Sequence, residues 1–281
     1  MPAPSMNVKK SVTMSEVLSI FSCSIPLFWI FWYAVCMSEF HDINRFPKDW
    51  GLLVFPISMS RIATGQHQKH YIEWLLQLAE KIQSNQVGAN FLYSDGLYMN
   101  FENNAFETKN RFASTATSHK QGMLRLLDKH RQTFQIRSAF SFQSWFQMYL
   151  SHPDFFARLS DIRKLYSEDT LFQRYVALDA QDHERELTVH QIEFYLEEIL
   201  FYYLASNRQL HFSNEYVQNR EQWVLLCYPG SPLRAEIYLH QLDPFGLNSE
   251  KNPYKGSYDL SKRVFINHET VDLKQYNPTD Y

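Results

Sequence analysis

The sequence predicts a single α/β domain with a mainly parallel sheet flanked by helices. Two short apolar runs enclose a segment with helical spacing, and parallel strands need a crossover of this kind. A later apolar run, Trp223–Tyr228, stops at Pro229-Gly230 and has the composition of a buried strand. No internal repeat or Pro/Gly-rich hinge interrupts the chain after residue 50, which favours one domain.

The βαβ unit lies near the start of this domain. Leu52–Ile57 is suited to a buried strand, and Ser58–Gln68 is predicted to be a loop. His70–Gln83 has apolar residues spaced for one face of a helix, and Asn90–Tyr93 is the second strand. The two strands are therefore expected to pair in parallel.

Further helices and strands are expected downstream. Helical spacing recurs in Phe112–Thr133, Ser144–Leu150, Asp154–Tyr175 and Val189–Leu204. Thr188 is a suitable N-cap for the last of these helices. Phe134–Ile136 is a candidate third strand, and Ala235–Leu239 fits either the start of a helix or a strand.

Composition divides the chain into an N-terminal extension (1–46), the α/β domain (47–245) and a polar, loosely ordered tail (246–281). The extension contains the apolar segment 17–37, which has no charged residue and approaches the ~20 residues that span a bilayer. This segment is a signal peptide or membrane anchor, or an aromatic-rich helix that packs on the domain or on another subunit. A third alternative is that translation begins at Met37. The sequence leaves these alternatives open.

Composition, cysteine spacing and net charge exclude several classes of protein. The 281 residues include 45% hydrophobic residues and only 8 glycines, which describes a globular chain with a substantial core. The three cysteines are widely spaced, which argues against a disulfide framework and against a zinc site and suits the reducing cytoplasm. The formal charge of −3 does not indicate a nucleic-acid binder, although binding depends on local patches rather than on the total.

Ser58 is the first candidate for chemistry. It lies in Phe55–Arg61 (FPISMSR), just past the carboxyl end of a predicted strand, where ligands bind in open α/β sheets. A serine in this position is by itself more often a loop residue or a helix cap.

Two carboxylates lie in the predicted helix segment FYLEEIL, Phe194–Leu200. One buried stripe of this helix is marked by Ile192, Tyr195, Ile199 and Tyr202. Glu198 falls beside the stripe, whereas Glu197 is predicted to lie nearer the polar side. A carboxylate at a buried edge needs a partner, which is either a structural salt bridge or a cationic ligand group such as an α-ammonium.

Tyr228 ends the strand in Leu225–Pro232 (LLCYPGSP). If the strands are parallel, it lies at the same sheet edge as Ser58, where its hydroxyl can bond a nucleophile or a substrate. The alternative is a tyrosine that packs under a turn.

In this order, the serine strand, the glutamate helix and the Tyr-Pro strand resemble the cyclodipeptide synthases. In that family an apolar-x-Ile-Ser strand presents a nucleophilic serine, which falls on Ser58 at the end of Val54–Ser58. The family's Tyr-x-x-x-Glu motif falls on Phe194 and Glu198, and the tyrosine that ends a later strand falls on Tyr228. The resemblance covers roughly residues 49–241.

One subfamily has proline directly after that later tyrosine, as Pro229 is here, and the other has asparagine where Arg61 stands. Both features indicate the proline-containing subfamily. The chain departs from the family at Phe194, where a tyrosine is expected. Tyr195 lies three residues before Glu198 and shares a helix surface with it, so Tyr195 is the candidate replacement.

The resemblance implies a Rossmann-like fold, similar to the catalytic domain of class I aminoacyl-tRNA synthetases, and two aminoacyl-tRNAs as substrates. Ser58 would attack the aminoacyl ester to form an aminoacyl-enzyme, and a dipeptidyl-enzyme would then cyclise to a diketopiperazine. Glu198 would hold the α-ammonium, while Tyr228 and Tyr195 would orient Ser58 and relay protons. Because the ester arrives already activated, no metal or cofactor is expected, and we expect a monomer.

The resemblance also implies where the substrates bind. The residues assigned to the amino-acid site are Val54, Pro56, Arg61, Phe194, Phe201, Leu226 and Pro229. Their bulk favours an apolar first amino acid. The candidate tRNA contacts are the basic residues Lys109, Arg111, Lys120, Arg125, Lys129 and Arg131, because tRNA is gripped by its phosphates. The alternative for these cations is an ordinary solvated helix face.

Two rival functions remain. A serine-dependent hydrolase or acyltransferase of another family predicts an activating His–Asp pair and often a Gly-x-Ser-x-Gly turn, but no glycine flanks Ser58. The second rival is an inactive tRNA-binding or membrane-tethered module, which Phe194 and the apolar segment 17–37 favour.

Overall fold

The structure is a computed structural model that describes residues 51–59, 61–62, 66–79, 87–97, 105–133, 140–212, 223–248, 252 and 254–278. At 66–68 and 105–109 it describes the backbone alone. The extension 1–46, with its apolar segment 17–37, lies outside these residues. Within the described part of the chain, no helix is both long enough and apolar enough to cross a membrane.

The described strands form one six-stranded sheet. They are β1 (Gly51–Ile57), β2 (Val87–Tyr93), β3 (Phe140–Ser144), β4 (Trp223–Tyr228), β5 (Gly256–Asp259) and β6 (Val264–Asn267). Their order is β3-β2-β1-β4-β5-β6, and every pair is parallel except β5 with β6. This is the mainly parallel α/β sheet that the sequence predicts.

Helices cover both faces of the sheet. They are α1 (Gln66–Gln77), α2 (Ala105–Lys129), α3 (Trp145–Ser151), α4 (Phe155–Glu168), α5 (Thr170–Asp182), α6 (Val189–Ser206) and α7 (Arg234–Leu242). Side chains of a strand alternate between faces, so Leu53 and Phe55 pack with α1 and α2, whereas Leu52 and Val54 pack with α3–α7. With both faces buried, β1 is a continuous apolar run rather than an alternating one.

The long helix α6 begins where the sequence predicts, but one of its side chains is buried where the sequence predicts a polar surface. Thr188 caps it, with Oγ1 accepting a hydrogen bond from Gln191 N at 3.2 Å. The prediction that Glu197 lies nearer the polar side is wrong, because this side chain is only 2% exposed and accepts a hydrogen bond from the Tyr149 hydroxyl. Helix α3 supplies that hydroxyl, so both sides of α6 face protein at this level.

The predicted helix Asp154–Tyr175 is two helices, because the chain breaks at Asp169. This residue is extended, and its carboxylate accepts hydrogen bonds from Leu171 N at 2.8 Å and Phe172 N at 3.0 Å, which caps α5. The predicted strand Phe134–Ile136 lies outside the described residues, and the third strand is β3. The ambiguous segment Ala235–Leu239 is helical, as part of α7.

Residues beyond 246 do not form the loosely ordered tail that the sequence predicts. They contribute β5 and β6, in which Tyr258 and Phe265 are buried. A Cβ at Gly256 would lie 2.0 Å from Ile266 O, so the close pairing of the two strands requires glycine there. Each strand has only four residues, which is too short to stand out from the surrounding polar residues by periodicity.

Candidate active site

The candidate site lies where the order of strands reverses. From β1 the chain continues to β2 and β3 on one side, while β4 pairs with the other side of β1, with Val54 opposite Leu226. Ligands of open α/β sheets bind beyond the carboxyl ends of the strands at such a switch point. Ser58 follows β1 and Tyr228 ends β4, so the two residues share this edge, as the sequence predicts.

A cavity of about 320 Å³ opens at this edge. Its wall includes the four candidate catalytic residues Ser58, Tyr195, Glu198 and Tyr228. The volume is within the range of small-molecule sites. We call this feature the switch-point cavity; it brings together residues from β1, α6 and β4 that are far apart in the sequence.

Hydrogen bonds hold the end of β1 in place below Ser58. The Tyr71 hydroxyl donates to Pro56 O, and Ser94 donates to Ile57 O through both its amide, at 3.0 Å, and its hydroxyl, at 2.9 Å. The Ser58 carbonyl then accepts from Arg61 N at 3.1 Å, which closes a turn. These hydrogen bonds come from three different segments and hold the backbone at Ser58 in place. The Ser58 side chain itself is half-buried.

Glu198 is the carboxylate of the cavity. Burial raises the pKa of its carboxyl to about 7, while the positive charges of Arg185 and Arg61 act in the opposite direction and Asp179 adds to the rise. A carboxyl with this pKa both accepts and releases a proton near neutral pH. It also gains a strong partner when a cationic group enters the cavity.

Arg185 belongs to the site, although no sequence pattern marked it. It lies in the connection from α5 to α6 and lines the switch-point cavity. Its guanidinium carbon lies 5.1 Å from the ring centroid of Phe194 and 5.9 Å from that of Tyr195. At the position where the family has tyrosine, this chain therefore has a phenyl ring, and the Arg185 guanidinium packs over it.

Tyr195 lines the cavity, but its hydroxyl oxygen is 3.5 Å from Asp179 O, at the outer limit of a hydrogen bond. Burial raises the pKa of this phenol to about 12, with Arg185 opposing the rise. Arg185 also forms a side-chain hydrogen bond with this hydroxyl, so the hydroxyl contacts both α5 and the arginine of the cavity.

Tyr202 is a second cavity residue that the sequence analysis treated only as packing. It follows Glu198 by four residues, so both side chains lie on the same helix surface. Burial raises the pKa of the Tyr202 hydroxyl well above its usual value, and Glu198 adds to the rise. The spacing of four residues between Glu198 and Tyr202 is the feature of the sequence that could have identified Tyr202 as a residue of this site.

The residues predicted for the amino-acid site divide into two groups. Pro56, Arg61, Phe194 and Leu226 line the switch-point cavity. Arg61 also reaches Tyr228, with Nη1 3.5 Å from the phenolic oxygen. The others, Val54, Phe201 and Pro229, are buried and are not part of the cavity wall, and the first two pack in the core between the sheet and α3–α7.

The candidate tRNA contacts lie on or next to α2. Arg111, Lys120, Arg125 and Lys129 are exposed along this helix, and Arg131 is exposed in the turn after it. Lys120 Nζ lies 5.2 Å from the ring centroid of Phe142, which holds one of these charges beside β3. The side chain of Lys109 lies outside the described residues.

No protein-family model matches the chain, and no curated protein matches its sequence. Among solved structures it is similar to a CDPS from Fluoribacter dumoffii, with 14% identity, 73% of this chain and 88% of that chain covered, and a TM-score of 0.46. A CDPS from Staphylococcus haemolyticus has 13% identity, 72% and 87% coverage, and a TM-score of 0.43. AlbC, a cyclodipeptide synthase from Streptomyces noursei, has 14% identity, 64% and 82% coverage, and a TM-score of 0.38.

Proposed function

We propose that this chain is a tRNA-dependent cyclodipeptide synthase of the proline-containing subfamily, with Ser58 as its nucleophile. The observation that carries the proposal is that Ser58, Glu198 and Tyr228, from three distant segments, line one cavity at the switch point of the sheet. These are the residues on which the family's serine, glutamate and tyrosine fall. The substrates are two aminoacyl-tRNAs, and the enzyme acts as a cytoplasmic monomer.

In the first step, the Ser58 Oγ attacks the carbonyl carbon of the aminoacyl ester. The bond to the ribose oxygen breaks, and the proton of Ser58 passes to that leaving oxygen, so an aminoacyl-enzyme and free tRNA result. Tyr228 and Tyr202 are the cavity hydroxyls that orient Ser58 and relay this proton. Tyr195, the candidate replacement for the family's tyrosine, lines the same cavity and provides a third hydroxyl for this relay.

Glu198 binds the α-ammonium of the aminoacyl group. This ammonium must lose a proton before its nitrogen attacks the second aminoacyl ester, and a carboxyl whose pKa is about 7 is suited to accept that proton. The attack breaks the bond between the second acyl carbon and its ribose oxygen, which takes up a proton and leaves as free tRNA, and the product is a dipeptidyl-enzyme. Its free amine then attacks the ester to Ser58, closes the diketopiperazine ring and returns the serine hydroxyl.

The exposed cations of α2 contact the tRNA backbone, and the apolar part of the cavity receives the first amino acid. Arg111, Arg125 and Lys129 provide exposed positive charge on one side of the helix, and Lys120 adds a charge beside β3, within a chain whose formal charge is −3. Pro56 and Leu226 supply apolar surface next to Ser58, which favours an apolar first residue.

Expression in a bacterium, followed by mass spectrometry of the medium, tests the proposal. The wild type is expected to release a cyclic dipeptide, and Ser58→Ala is expected to release none. Ser231→Ala is the matched control, because this serine also lines the cavity but has its hydroxyl 3.1 Å from Asp259 Oδ2. Absence of any diketopiperazine from the wild type would refute the proposal, and an unchanged yield from Ser58→Ala would refute the nucleophile.

The hydrolase alternative makes a different prediction at His183. This residue is the histidine in the described wall of the cavity, and its Nδ1 lies 2.7 Å from the main-chain carbonyl oxygen of Asp179, which fixes the orientation of the ring. A serine hydrolase would lose its activity in His183→Ala, whereas the proposed transferase has no proton transfer through this ring and retains diketopiperazine formation.

A further inference from the structure

Two histidines and a glutamate form a buried cluster behind the switch-point cavity. Glu236 and His240 lie one turn apart on α7, and His268 follows β6. Their side chains are 4%, 1% and 0% exposed, respectively. Each offers one ligand atom, and these three atoms all lie within 4.8 Å of one another.

One nitrogen in this cluster has an unused lone pair or proton. Nδ1 of His268 has no hydrogen-bond partner among the described residues, and it faces Glu236 Oε1 at 3.8 Å. Buried polar atoms are almost always satisfied, so a fully buried nitrogen without a partner calls for an explanation.

Serine hydroxyls hold the other edge of both rings. Nε2 of His240 lies 2.9 Å from Ser206 Oγ, and Nε2 of His268 lies 3.3 Å from Ser257 Oγ. Histidines that bind metals almost always use their second nitrogen in this way, which fixes the orientation of the ring. In His268 the arrangement leaves Nδ1 directed at the carboxylate.

We propose that Glu236, His240 and His268 bind one divalent transition-metal ion of the Zn²⁺ class. Two imidazoles and a carboxylate are a ligand set that such ions prefer. Ligand atoms of a tetrahedral zinc site lie about 3.3 Å apart, so the 3.8 Å pair must close by about 0.5 Å around the ion, and the cluster, whose ligand atoms lie within 4.8 Å of one another, by up to about 1.5 Å.

The ion has a way in and a place for a fourth ligand. Glu236 and Ser257 also line the switch-point cavity, which connects the cluster to solvent. Three protein ligands leave one tetrahedral position, and a water from the cavity fills it. The bound ion ties α7 to the residue after β6 and so stabilises the edge of the sheet that β6 forms.

Metal titration of the full chain, stripped with EDTA and dialysed, tests the site. Calorimetry with Zn²⁺ is expected to give one ion per chain, and Co²⁺ is expected to give the intense visible absorption of a four-coordinate site. Binding to the folded state alone raises the Tm with Zn²⁺ concentration. Glu236→Gln, which keeps the shape of the side chain, and His268→Ala are each expected to weaken binding on the order of a hundredfold or more.

Controls separate this site from surface binding. His190→Ala removes an exposed histidine and is expected to retain one ion, and Ser257→Ala is expected to weaken binding about tenfold while circular dichroism stays unchanged. Should His268→Ala fail to fold, the Co²⁺ spectrum of the wild type and the Glu236→Gln titration decide. Wild-type affinity equal to that of Glu236→Gln, or a Co²⁺ spectrum of the hydrated ion, overturns the proposal. These readouts do not depend on diketopiperazine formation.

Discussion

Both faces of the sheet are packed with aromatic rings, but they differ in the carboxylates that their helices bury. The face under α1 and α2 is packed with stacked aromatic rings, such as Phe91 with Phe55 at 5.3 Å and with Phe142 at 5.0 Å. The described side chains of α1 and α2 include no buried carboxylate. On the opposite face, α5, α6 and α7 bury Asp179, Glu197 and Glu236.

This difference separates a face whose buried carboxylates lower the stability of the fold from a face without that cost. Burying a charged or polar group is costly unless it is paired, whereas stacked aromatic rings stabilise without such a cost. The switch-point cavity opens on the face that accepts these costs, with Glu198 in its wall. Mutations on the two faces should therefore differ in kind, and four experiments examine this.

The largest effect is expected from Glu198→Gln. Loss of the carboxylate that binds and deprotonates the amine should lower the rate of diketopiperazine formation by about 10²- to 10⁴-fold. Glu197→Gln is the matched control, because the neighbouring side chain accepts from Tyr149 and is not part of the cavity wall. Rates are measured with purified aminoacyl-tRNA, and equal losses in the two variants would contradict the special role of Glu198.

The same substitution should change stability in the opposite direction. The folded-state pKa of Glu198, about 7, lies above the ordinary value of 4.5 for a glutamate, so ionising this carboxyl costs stability as the pH rises from about 4.5 to 7. Glu198→Gln removes that cost and should raise the free energy of unfolding by up to about 2 kcal/mol at pH 8, with allowance for solvent in the cavity. The gain should vanish below about pH 4.5, where both states are protonated.

On the face under α1 and α2, Phe91→Ala should destabilise the fold by about 3–5 kcal/mol through loss of buried contacts and the cavity left behind. Phe91 is fully buried at the centre of β2. The loss should be the same at pH 6 and pH 8, because the buried histidine on this face, His119, has its pKa lowered to about 4 by burial. Urea unfolding at the two pH values measures it, and a pH-dependent loss would break the contrast between the faces.

The smallest effect is expected from Arg185→Met. The methionine keeps apolar contact with Phe194 and Tyr195 but removes the main positive charge that lowers the pKa of Glu198. The ionisation of Glu198 that limits the rate should shift upward by roughly half to one pH unit. Arg185→Lys should restore most of the shift, and a pH–rate profile of Ser58 acylation distinguishes the two variants.

Local patterns were enough to predict much of the fold. The apolar runs of β1, β2 and β4 and the capped helix α6 were recognisable because strand length, helical spacing and capping depend on residues close in the sequence. The short strands β5 and β6 were not recognisable, because they are stabilised mainly by pairing between β5 and β4 and between β5 and β6.

The sequence by itself determined the α/β class, the edge position of Ser58 and Tyr228, and the helix that carries Glu198. Only the tertiary structure decided that Glu197 is covered by α3, that Arg185 lies over Phe194, and that His268 meets Glu236 and His240. Burial, charge pairing and ligand clusters arise from contacts between elements far apart in the chain. Periodicity describes one element at a time and contains no information about which neighbour will cover it.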